Sequence, residues 1–248
     1  MKNKLNNKKI NKIINIVLVI SLIILVIFVI SLGIKKYQEE RIVKNELEII
    51  NDLDSSIDAI DMDIKAHGDH GKVEQAMKEY YQDYFNKKKI FSNNRVESIF
   101  NTFTVDYLRD NKSKLKKLKL SEMVDTKTKE LNKAVNGIIE MLDSNNIMAY
   151  IDKYDLHSYY NDFYRDIMVS KNDSKFQKEW QDLMKQNKEK VGYLKDIINI
   201  LVNNIDDWYI KDDTLYFSSD SLLKEYNKLH GLIYKDINLD NEISDISL

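Results

Sequence analysis

Residues 13 to 34, IINIVLVISLIILVIFVISLGI, form a run of 22 residues between Lys12 and Lys35 without a charged side chain. At about 1.5 Å of helical rise per residue the run measures roughly 33 Å, close to the 30 Å hydrocarbon core of a bilayer. Asn15, Ser21, Ser31 and Gly33 are its weakly polar or small interruptions. The segment predicts one transmembrane helix. A cleaved secretory signal shares the basic start, and Ser31 with Gly33 would suit a small-x-small cleavage site. Its apolar core, however, normally spans only about 7 to 15 residues.

The flanks set the expected orientation. Lys2, Lys4, Lys8, Lys9 and Lys12 precede the span with no acid among them, whereas Lys35, Lys36 and Arg41 on the far side are mixed with Glu39 and Glu40. Basic flanks are retained in the cytoplasm, so residues 1–12 are expected inside as a basic tail and the rest outside, on a single signal anchor. Residues 1 to 36 carry seven Lys and no acid, so 31 of the 38 Lys and Arg remain to face all 40 Asp and Glu, a net charge near −9. The overall value of −2 hides this split. An acidic outer domain repels phosphate backbones and anionic lipid, which excludes nucleic acid as an expected partner.

Composition then fixes the fold class. The chain has no Pro and six Gly, so the two strongest helix interrupters are absent or sparse, and an all-α fold is expected beyond the span. With no Cys, stability must come from packing alone. A cysteine-free exported protein suits a bacterial envelope, and heavy use of Lys, Asn and Ile suits an AT-rich genome such as that of a low-GC Gram-positive organism.

Apolar spacing subdivides the outer chain. Val43, Leu47, Ile50, Leu53, Ile57, Ile60 and Ile64 predict a stalk helix leaving the membrane. Val73, Met77, Tyr80, Tyr81, Tyr84 and Phe85 predict a second helix. A third, from about Asn94, carries Val96, Ile99, Phe100, Phe103, Tyr107 and Leu108. Residues 35–111 then read as a membrane-proximal stalk and helical hairpin, and 112–120 as a basic linker. Residues 121–235 read as a C-terminal helical bundle, with caps at Ser121, Ser144 and Asp220 or Ser221 and a long helix starting at Ser174. Within it, Trp208–Ile210 and Thr214–Phe217 flank a polar turn and predict a small β-hairpin over 208–217. Residues 236–248 read as an acidic tail.

Candidate sites are few. His67, Asp69 and His70, with Asp63, have metal-binding side chains, but two glycines in a short polar run describe an inter-helix turn, and no metal site is expected. Asp236–Ile243 begins like a calcium loop, yet Asn241 replaces the turning glycine and Ser247 the closing acid. The aromatic groups Tyr80, Tyr81, Tyr84, Phe85 and Tyr159, Tyr160, Phe163, Tyr164 have helical spacing that assigns them to the core. Lys112, Lys114, Lys116, Lys117 and Lys119 put five cations in eight residues and are the expected partner contact, although Leu115, Leu118 and Leu120 also suit an amphipathic linker.

No cysteine nucleophile, His-Glu-x-x-His pair, phosphate loop or nucleophile elbow is present, so neither catalysis nor a cofactor is expected. The expectation is a non-enzymatic envelope protein, integral by a single span, whose outer domain binds an envelope protein or an anionic wall polymer. The competing expectations are an extracytoplasmic sensor or accessory subunit of a membrane complex, and a cell-division or assembly scaffold.

Overall fold

The computed structural model describes residues 2–53, 59–169 and 174–235, and the 236–248 tail with its calcium-loop resemblance lies outside them. The protein is mostly helical, with one small antiparallel sheet near the C-terminus. α1 (Lys2–Asn51) is one uninterrupted 50-residue helix containing the apolar run. Among the described residues, the large apolar side chains Leu18, Ile20, Leu22–Ile30, Leu32 and Ile34 are between 49 and 65 % exposed. The helix is long and apolar enough to cross a membrane. Ser21 satisfies its hydroxyl by donating to the Leu18 carbonyl at 3.1 Å, the local bond that makes a serine tolerable in hydrocarbon.

Beyond the apolar run the helix becomes amphipathic, and Val43, Leu47 and Ile50 are buried. They pack with the predicted face of α2 (Gly68–Asn94), where Val73, Met77, Tyr80, Tyr81, Tyr84 and Phe85 are all buried. The stalk is shorter than its apolar spacing implies. α1 ends at Asn51, and residues 59–66 have no regular structure, although Ile60 and Ala66 are buried. Asp and Ser crowd the sequence from Asp52 to Ser56, and such side chains compete with a helical backbone for its hydrogen bonds. Residues 63–66 bond instead to side chains of α2.

The helix expected across 94–108 is likewise two pieces, α3 (Val96–Phe100) and α4 (Val105–Asn111). Thr104 caps α4, its hydroxyl accepting from the Tyr107 amide at 3.1 Å, so the chain restarts rather than continues. A 3₁₀ turn (Lys112–Lys117) leads to α5 (Leu120–Met141). Then follow α6 (Ser144–Asp152), α7 (Ser158–Met168) and α8 (Ser174–Asn203). Three caps differ from expectation. Lys119, at φ 48°, occupies the N-cap of α5 without a side-chain bond, Asp143 caps α6 by accepting from the Asn145 amide, and Ser219 precedes α9 (Asp220–Ile233).

The hairpin forms as predicted. β1 (Trp208–Lys211) pairs with β2 (Thr214–Phe217) in the register Trp208 to Phe217 and Lys211 to Thr214. Asp212 and Asp213 both take positive φ, 48° and 54°, as a type I′ turn requires. Trp208 turns inward, while Tyr209 and Tyr216 stack on the outer face.

Two apolar cores result. The first joins α1 beyond its apolar run, α2, α6 and α7 to the C-terminal part of α5 and the N-terminal part of α8. The second joins α3, α4 and the 3₁₀ turn to the other ends of α5 and α8, the hairpin and α9. α5 and α8 pass through both, so each core draws residues from before and after the lysine-rich segment.

Candidate functional site

The lysine-rich segment owes its shape to the 3₁₀ period. With three residues per turn, Lys112, Leu115 and Leu118 align on one face. Leu115 is buried, and the Lys112 ammonium lies 4.5 Å from the Trp208 ring centre while donating to the Trp208 carbonyl. Arg109 at the end of α4 reinforces the junction through an ion pair with Asp213 of the hairpin turn. The five lysines therefore divide. Lys112 is tied to the hairpin, and Lys119 pairs with Glu122 at 3.0 Å. Lys114, Lys116 and Lys117 project into solvent with no ion pair among the described residues. The segment presents three solvent-exposed cations on a 3₁₀ turn anchored by Leu115 and Lys112.

A second constellation, not anticipated from the sequence, lies where α1 enters the domain. Lys78 of α2 is 0 % exposed and sits 2.8 Å from Glu74 and 3.0 Å from Glu46. Its third hydrogen bond, at 2.6 Å, goes to the Asp63 carbonyl. The Glu74 carboxylate accepts the Lys65 and Ala66 amides at 2.9 and 2.7 Å, and Lys65 in turn reaches Glu46 at 2.8 Å. Burial raises the Glu46 carboxyl, but hydrogen bonds from Lys65 and Lys78 outweigh it and hold the group below its ordinary value. The cluster fastens the irregular 63–66 segment to both helices. Its sequence signal was Glu74 and Lys78 at i, i+4 inside an apolar face, with Glu46 inside the α1 stripe.

The His67–Gly71 stretch is the start of α2. Gly68 takes φ +59°, and at Gly71 a Cβ would stand 2.7 Å from the Ala66 carbonyl oxygen, so both glycines serve the turn. The Glu39 carboxylate accepts the His67 amide at 2.8 Å. Among the described residues no three or more His, Asp or Glu gather as metal ligands. His70 is buried edge-on against Tyr159, Tyr160 and Phe163. Of the second aromatic group, Phe163 and Tyr164 are buried while Tyr159 and Tyr160 are half-buried.

Burial lowers the His70 imidazole from its ordinary 6.5, although Glu40, Glu39 and Asp69 push it upward. The unfolded chain therefore binds a proton below about pH 6.5 that the folded protein resists, and stability falls as pH drops through that value. Glu39, held low chiefly by the His67 amide, and Glu46 add a further loss below about pH 4.5. A His70→Phe variant should lose less of its melting temperature between pH 7 and 5.5 than the wild type. Parallel losses would contradict the assignment.

No protein family model matches the chain, no curated protein is significantly similar to it, and no solved structure matches its fold.

Proposed function

We propose that the protein is a non-enzymatic, single-pass membrane protein whose helical domain stands outside the cytoplasm and holds an anionic envelope polymer at Lys114, Lys116 and Lys117. The observation that carries this reading is the continuity of α1, bare along its apolar half and buried in the first core from Val43 onward. A helix so divided supports a folded domain held close to a membrane surface. The basic flank at Lys2–Lys12 supports an inside N-terminus, and three hydrated lysines on an otherwise acidic domain supply a local cationic patch.

Two measurements test it. Protease added to wall-stripped cells should digest the domain and spare the N-terminal tail; the reverse pattern would refute the orientation. Full-length protein in nanodiscs should bind poly(glycerol phosphate), and replacing the three lysines with Gln should weaken binding about tenfold, with a shallower salt dependence. Equal affinity of variant and wild type would remove the patch from the contact.

A further inference from the structure

Two helices begin beside the end of the apolar run and climb α1 in parallel with it. On α2, the His67 amide donates to Glu39, Lys78 pairs with Glu46 and the Tyr81 hydroxyl donates to Asn51, so later residues of one helix meet later residues of the other. α7 keeps the same direction. The Lys36 ammonium lies 3.0 Å from the Tyr159 ring centre, Glu40 accepts the Tyr159 hydroxyl, Lys44 stands 5.6 Å from the Phe163 ring centre, and Ile167 borders one groove with Leu47 and Glu48. The contact nearest the apolar run is therefore made by the start of α7.

Helical rise converts these contacts into depth. Lys36 lies two residues past Ile34, about 3 Å of helix, and Glu40 about 9 Å past it. A bilayer of about 40–45 Å with a 30 Å hydrocarbon core leaves roughly 5–8 Å of headgroup layer on each side. Whatever rests on Lys36 lies inside that layer when α1 crosses. We infer that the start of α7, with Tyr159 and Tyr160, is a lipid-contact surface seated among the phospholipid headgroups of the bilayer that α1 crosses. Its side chains suit that layer. Tyr159 and Tyr160 are half-buried with ring centres 5.1 Å apart, and Tyr37 on α1, at the same level, is 65 % exposed. Tyrosine joins an apolar ring to a hydroxyl that hydrogen-bonds, the combination that collects at membrane–water interfaces. Exposed Lys35 and Lys36 add cations for lipid phosphate. Glu39 and Glu40 come one turn later, half-buried, and their oxygens accept the His67 amide and the Tyr159 hydroxyl. The domain then stands end-on. α2 climbs about 40 Å over its 27 residues before the second core begins at Val96, which keeps the hairpin away from lipid. The inference rests on α1 crossing a bilayer, as proposed above, and holds whichever side the domain occupies.

Because the chain has no cysteine, one introduced thiol is its sole labelling site. Full-length Ser158→Cys and Thr214→Cys, both exposed positions, are labelled with bimane in nanodiscs, with or without a phosphatidylcholine carrying a nitroxide on its headgroup. Ile27→Cys with an acyl-chain nitroxide lipid reports the span separately. Contact quenching at 158 should exceed that at 214 at least about threefold, since only the first lies within the headgroup layer. Quenching at 27 without quenching at 158 would overturn the inference and leave the span standing, whereas no quenching at 27 would remove the span and the inference with it. Equal quenching at 158 and 214 would mean that the domain lies flat on the bilayer, and would also overturn it. Disulfide-linked dimers of Ser158→Cys in native membranes would do the same by giving this face to a second copy.

Discussion

Lys78→Met is expected to lower the stability of the folded domain by about 3–5 kcal/mol, the loss associated with stripping one partner from a buried ion cluster. Methionine matches the lysine stem in length and apolar character, so little of this arises from a cavity. The cause is electrostatic. Glu74, wholly buried, and Glu46, nearly so, would face each other without the ammonium that now touches both at 2.8 and 3.0 Å, and the Asp63 carbonyl would lose its donor. For a chain of this size the melting temperature should fall on the order of 10 °C, followed by circular dichroism in detergent micelles. Acid gives an independent signature. Uncompensated buried carboxylates take up protons above their ordinary pKa, so the deficit of the variant should shrink on acidification. A deficit independent of pH, or below about 1 kcal/mol, would show that the cluster contributes little.

That cluster marks where sequence reasoning stops. Periodicity identifies a buried face because apolar side chains favour burial, so the α2 face was legible from spacing, and the hairpin from aromatic and β-branched residues on either side of a polar turn. Charged residues carry no such rule: Glu74 and Lys78 at i, i+4 beside an apolar face are compatible with solvent, and their burial with Glu46 follows only from the packing of α1, the 63–66 segment and α2. Helix ends were legible less often, for a local reason. Ser121 is a good cap by type, but the 3₁₀ turn delivers the chain to α5 in a left-handed conformation at Lys119, and the helix starts without it. The stalk helix stops short of Ile64, and Ile60 is buried from irregular backbone, with the Asp63, Lys65 and Ala66 main-chain groups nearby satisfied by Lys78 and Glu74. Among the expected contact lysines, the sequence showed five cations, and only packing showed that Lys112 belongs to Trp208.

Trp208→Ala should have the second large effect, about 3–5 kcal/mol, and should spend it locally. The indole is almost wholly buried in the second core, donates to the Leu201 carbonyl at 2.8 Å, pairs across the sheet with Phe217 and supports the Lys112 ammonium. A two-stranded hairpin has little stability of its own, so without this side chain it should detach from α8 and α9 rather than adjust. The 3₁₀ turn loses its support with it. Hydrogen exchange should accelerate in 112–117 and 208–217 while amides of α2, in the other core, keep their protection. Trp208→Phe, which keeps an aromatic ring and forfeits mainly the bond to Leu201, should lose only about 1 kcal/mol. The consequence for binding separates order from charge. Every lysine of the segment survives in Trp208→Ala, yet Lys114, Lys116 and Lys117 would no longer be held on a rigid turn, so affinity for poly(glycerol phosphate) should fall. Undiminished affinity in a variant whose hairpin has demonstrably loosened would mean that the lysines act as a flexible cationic tether and that the 3₁₀ geometry is irrelevant to the contact.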